Sequence, residues 1–191
     1  MSNQILVFLL DTTLGLFSLA LLLRFYFQLL RVPYHNPVSQ FLIAVTDFIV
    51  RPARRIIPGW AGIDLSTLML AWLLECIVVS IVYVMQGYDF GSNIIAASGA
   101  IGLLGIVEII KTTLYIVLLM IIVQAVLSWV NPNSPLAPLL DSFTRPFLAV
   151  FRKNIPPIAN VDLSPLFVLI LIQVLLMVVA GIHTEIAAML R

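Results

Sequence analysis

Apolar residues run almost unbroken through four stretches of the chain, about 5–30, 65–85, 112–130 and 165–182. Each reaches roughly the 17–25 residues that a helix needs to cross about 30 Å of hydrocarbon. Lipid offers no water to satisfy a backbone, so the four stretches are predicted to be membrane-spanning helices. Two stretches between them carry a different rhythm. Val38, Phe41, Leu42, Val45, Phe48 and Ile49 recur at helical spacing, and so do Leu136, Leu139, Leu140, Phe143 and Phe147. That stripe predicts amphipathic helices over about 37–50 and 135–148, lying in the headgroup region. Asn36-Pro37 and Ser134-Pro135 open them, each a capping side chain followed by a proline whose missing N–H costs nothing at the first helical position. Residues 94–107 form a further apolar run, short for a crossing, predicted to be a short helix. Its Ser98, Gly99, Gly102 and Gly105 suggest a face of close helix contact. It can be an interfacial or re-entrant helix, a helical extension of the third span, or a fifth crossing.

The chain states this plan twice. With no gap and a constant offset of 98, Pro37 falls on Pro135, Leu42 on Leu140, Thr46 on Thr144 and Arg54 on Arg152. Ile57-Pro58 falls on Ile155-Pro156, Asp64-Leu65-Ser66 on Asp162-Leu163-Ser164, and Arg55 on Lys153. Shared hydrophobicity does not align prolines, arginines and aspartates, so this is an internal duplication. The repeats divide the chain at about 1–91 and 92–191.

Composition agrees with the bilayer. The 191 residues are 62% hydrophobic and only 10% charged, with mean hydropathy +1.13, against about half and a quarter for soluble domains. A net charge of +1 offers no basic field for nucleic acid. The single cysteine, Cys76, excludes an internal disulfide. The N-terminus has no basic segment of the signal-peptide kind and reads as the start of a retained helix. Basic residues cluster in two loops, with Arg31, Arg51, Arg54 and Arg55 in one and Arg145, Arg152 and Lys153 in the other. Four crossings bring both loops to the cytoplasmic side, in keeping with the positive-inside rule, whereas five would separate them. The expected fold is therefore an all-α membrane protein of two parallel tandem repeats and four spans. Its basic loops are cytoplasmic and both termini periplasmic.

The unit of span, NP or SP helix, R-[RK]-x-I-P, D-L-S and span, occurring twice in this length, resembles the YggT family of small bacterial integral membrane proteins with plastid relatives. The departures are Phe48 where the second copy has Pro146, and Thr67 where the second copy has Pro165. The resemblance implies an inner-membrane protein with a role in osmotic or ion stress, or in cytochrome maturation and membrane organisation in plastids. It brings no catalytic residue and no cofactor.

The residues themselves offer no enzyme site. His35 and His183 fall on opposite sides of a four-span protein, and no zinc, haem, phosphate-loop or nucleophile-elbow motif is present. Glu75 stands out, about 15 Å into the second span, where a bare carboxylate is costly. The repeat offset sets Gln173 at the same depth, and a pseudo-two-fold axis would bring the two together. Arg24, about 9 Å deep, is the expected ion partner of Glu75. Arg54, Arg55, Arg152 and Lys153 read as interfacial cations for anionic lipids, or as clamps on Asp64 and Asp162 ten residues on. Trp60, Trp72, Trp129, Tyr83 and Tyr88 read as an aromatic belt, with Trp72 deeper and between helices. The favoured function is a non-enzymatic scaffold or assembly factor with a membrane-protein partner and a capacity to form homo-oligomers. The alternative is a small ion channel or transporter component using Glu75 and Gln173.

Overall fold

A computed structural model of the chain describes residues 2–33, 35–59, 62–88, 94–131, 133–154, 162–188 and 190. Six helices and no strand occur among the described residues: α1 (Ser2–Leu29), α2 (Pro37–Ile56), α3 (Leu65–Met85), α4 (Ile94–Val130), α5 (Ala137–Asn154) and α6 (Ser164–Ala188). Four of them, α1, α3, α4 and α6, are long and apolar enough to cross a membrane. The expected repeat boundary near residue 91, Trp60, and the Ile155-Pro156 pair lie outside the described residues.

The duplication is visible as packing. In the first half α1 packs on α2 and α3, and α2 on α3; in the second α4 packs on α5 and α6, and α5 on α6. The halves join chiefly through α3 against α4. Phe143 of α5, fully buried, also sets its ring edge-on to Tyr26 and Phe27 of α1 at 6.3 and 6.0 Å. Leu21, Leu22, Ile116 and Ile121 fill the centre of the resulting core.

Helix ends follow local chemistry. Asn36 caps α2, its Oδ1 accepting from Ser39 N–H at 2.8 Å with Pro37 in the first turn. The Ser134-Pro135 device acts earlier than expected. Ser134 Oγ accepts from Leu136 N–H at 3.3 Å in a turn, and α5 opens at Ala137 rather than 135. Both amphipathic helices also outrun their expected ends at about 50 and 148, continuing through Pro52 and Pro146 to Ile56 and Asn154. An internal proline removes one backbone bond, and burial of one helix face keeps the rest. The extension carries the basic pairs into the last helical turn, where cations favour the helix dipole. Gly87 ends α3 in the left-handed region (φ 89°), with Tyr88 N–H bonded back to Tyr83 O at 3.1 Å.

Residues 94–107 are neither a separate short helix nor re-entrant. They are continuous with the third span in one 37-residue helix, α4. No proline stands between the run and the third span, and Gly102 and Gly105 are used in packing. A Cβ on Gly105 would stand 2.6 Å from Cys76 Sγ, and one on Gly102 would stand 3.5 Å from the Trp72 ring. Trp72 thus packs between helices and donates to Gly102 O at 3.0 Å. Gly99 has open space, and Ser98 bonds only within its own helix.

Candidate functional site

Polar side chains gather at three levels of the bundle. The first is the turn from each amphipathic helix into the following span. Asp64, 3% exposed, caps α3 and accepts from Ser66 Oγ (2.5 Å), Thr67 Oγ1 (2.5 Å) and Arg54 Nη2 (2.5 Å). The cap is therefore Asp64, with Ser66 and Thr67 donating to it from the first turn. Burial by itself would push the Asp64 carboxyl up. The Arg54 guanidinium and the Ser66 and Thr67 hydroxyls outweigh it and hold the group at about 2. Asp162 repeats the clamp on Arg152 at 2.8 Å, and accepts from Ser164 N–H at 2.9 Å. Its carboxyl is also held below the usual range, against burial, by Ser164 and Arg152. The Asp162–Arg152 pair is solvated, however, with side chains 41% and 40% exposed. Arg55 and Lys153 are exposed and form no ion pair among the described residues.

The second level ties α1 to α2. Arg24, buried, donates to Thr46 Oγ1 at 2.7 Å and to Asp47 at 2.9 Å, and Asp47 also meets Arg51 at 2.6 Å. Burial would raise the Asp47 carboxyl, but the two guanidiniums hold it low. The expected Arg24–Glu75 pair is thus not formed. In the second half Thr144 is hydrogen-bonded to Gln124 instead. The offset sets Ile122 opposite Arg24, so the second copy keeps the threonine and replaces the charge with an amide two residues on.

The third level holds Glu75. Its Oε1 accepts from Ser18 Oγ of α1 at 2.5 Å, and the residue is 6% exposed. Glu75 also lines a cavity of about 200 Å³ bounded by α1, α3, α4 and α6. Asp11, Glu108, Lys111 and His183 line the same cavity. Lys111 Nζ lies 2.9 Å and His183 Nε2 3.4 Å from Glu108. Gln173 does not join it. The side chain is exposed on α6, so the repeat equivalence in depth is not an equivalence in direction. Asp47, Ser18 and Glu108 escaped the sequence reading. The i,i+4 spacing of Asp47 and Arg51, and the i,i+3 spacing of Glu108 and Lys111 inside an apolar run, were signals for two of them.

Among curated proteins, the chain is 35% identical over 179 residues to the uncharacterized protein PA0392 of Pseudomonas aeruginosa, covering 93% of this chain and 89% of that one. It is 30% identical over 178 residues to the uncharacterized protein YggT of Escherichia coli K12, covering 93% and 90%. An uncharacterized protein of Vibrio alginolyticus is 34% identical over 167 residues, covering 87% and 88%. The CCB3/YggT family model matches residues 3–85 and again 103–183. The chain belongs to the CCB3/YggT family. No solved structure matches it. The two CCB3/YggT matches coincide with the two halves of the fold. The residues between them, 86–102, include the first turns of α4. Both aspartate clamps, the Arg24 cluster, Glu75 and His183 fall inside the matched segments; the α4 extension mostly does not.

Proposed function

We propose that this protein is a non-enzymatic scaffold or assembly factor of the inner membrane, with a role in osmotic or ion stress. Its basic loops face the cytoplasm and its termini the periplasm. One observation carries the choice of scaffold over conduit. The cavity beside Glu75 and a second one near Gln124 and Asn131 share no lining residue, and Leu21, Leu22, Ile116 and Ile121, each under 3% exposed, belong to an apolar core that lines neither. A conducting path needs polar groups in sequence across the bilayer, and the apolar centre interrupts it. Gln173 faces outward, which suits a contact with a neighbour in the membrane better than a pore lining. The clamped amphipathic helices supply a second docking surface, with Phe41 and Ile56 exposed beside Arg51 and Arg55. Such a face suits anionic lipid headgroups and the flank of a partner.

The test pairs two measurements on the same preparation. Purified protein in liposomes should give no cation flux above empty vesicles. Mild-detergent purification from native membranes should recover a membrane protein in fixed proportion, and Gln173→Leu should reduce that recovery at unchanged expression. A saturable flux that Glu75→Gln abolishes would overturn the scaffold reading in favour of transport.

A further inference from the structure

We infer that the outward face of α6 is a self-association seam, on which a second copy of this chain docks in parallel with Gln173 paired to Gln173. The inference rests on the reading of Gln173 as a contact with a neighbour in the membrane, and it names that neighbour. It begins with the side of α6 already in use. Val168, Ile172 and Val179 are buried, and α6 packs on α4 and α5. Leu166, Ile170, Gln173, Met177, Ala180 and Thr184 are all exposed. They follow one another at alternating steps of four and three residues, the repeat of a coiled-coil seam. At about 100° per residue they fall within an arc of about 80°, on the far side of the helix from the buried three.

Gln173 is what separates this stripe from an ordinary lipid-facing surface. It stands nine residues after Ser164, about 14 Å along the helix and so near the middle of the hydrocarbon. Its side-chain amide has no hydrogen-bond partner among the described residues. Lipid tails supply none, so an amide left facing them is costly. A second copy removes that cost by symmetry. All copies lie in the membrane with one orientation, so two α6 helices meeting on this face run parallel. A two-fold axis along the membrane normal then sets each seam residue opposite itself. A carboxamide holds donor and acceptor together, so two of them on the axis bond reciprocally, N–H to C=O in both directions. The rest of the seam suits the pairing. It carries no charge to repel an identical face, and its small Ala180 lets the two backbones approach. Beside it, a Cβ added to Gly181 would meet nothing of its own chain within 4 Å. One polar position in an apolar seam also fixes register, because any slip strands both amides. A foreign helix would need a polar residue of its own at this depth, which a second copy has by identity.

Single cysteines on α6 of the Cys76→Ala chain would be oxidised with copper phenanthroline in native membranes, and the disulfide-linked dimer read on a non-reducing gel. Ile170→Cys, Met177→Cys and Ala180→Cys should link. Leu171→Cys, Leu175→Cys and Val178→Cys, also exposed but off the seam, should not. Adding Gln173→Leu to Met177→Cys should slow linking about tenfold at unchanged protein level, whereas Gln173→Asn, which keeps the amide, should not. Linking at none of the six positions, linking without regard to face, or a rate indifferent to Gln173→Leu overturns the proposal. The scaffold reading fails separately, on cation flux. A foreign membrane protein recovered in fixed proportion and lost with Gln173→Leu, with no link along the seam, would overturn the second copy and leave the scaffold standing.

Discussion

At the scale of residues, the equivalent aspartates differ in burial, and burial decides what each is worth. Asp64 is held at about 2 when folded against 3.8 as its ordinary value. Its folded value is depressed, so the stability it contributes is present above pH 4 and is lost as pH falls from about 4 towards 2. The difference corresponds to about 2 kcal/mol. Asp64→Asn should lower stability by about that much and remove this acid-sensitive step, read as Tm against pH. Asp162→Asn breaks a solvated pair and should cost under about 1 kcal/mol. Equal losses from the two would show that burial is not what separates them. Arg24 and Glu75 teach the limit of counting depth. Counting residues along a span gives no direction around it: Ser18 and Arg24 are six residues apart on α1 and point about 120° apart. Ser18 faces α3 and takes Glu75, whereas Arg24 faces α2 and takes Asp47. Arg24→Leu should therefore destabilise by about 2–3 kcal/mol while Glu75→Gln costs under about 1. The double variant should show their sum, because the two share no partner. Rescue of Arg24→Leu by Glu75→Gln would restore the ion pair between them.

At the scale of elements, the repeat, the four spans and both amphipathic stripes were legible because each rests on periodicity or on composition. Where helices continue was not. The amphipathic helices were expected to end near 50 and 148, yet tertiary burial carried α2 past Pro52 to Ile56 and α5 on to Asn154. The apolar stretch of 94–107 has no internal signal of the direction it takes. What fixes it is the contact with α3, and the glycines announced that contact without saying which helix it would meet. Gly105→Ala sets a methyl 2.6 Å from Cys76 Sγ. It should destabilise by about 1–3 kcal/mol, and Cys76→Ala in the same chain should return most of the loss. Gly99→Ala, with nothing within 4 Å, should be neutral or slightly stabilising. Thermal unfolding of the three variants together measures the joint between the halves. An equal effect of Gly99→Ala and Gly105→Ala would mean that helix propensity, not contact, is being measured.

At the scale of the whole molecule, the unbroken α4 has a mechanical consequence. Its 37 residues make a rod of about 55 Å, where an upright helix of about 20 residues fills the hydrocarbon. The rod stays apolar at its ends, with Ile94 and Ile95 70% and 86% exposed, and Trp129 and Val130 81% and 77%. To bring that whole surface within 30 Å, α4 would have to lean about 57° from the membrane normal, beyond the usual range of 0–40°. The remainder must be met by the lipid, drawn thicker around the protein. In nanodiscs whose acyl chains lengthen from 14 to 22 carbons, Tm should rise steadily, and removing residues 94–97 should shift the preference towards shorter chains. A maximum at 16 or 18 carbons in the full-length protein would contradict this. Hydrophobic mismatch thereby becomes a sorting force, drawing this protein towards the thicker patches of a membrane.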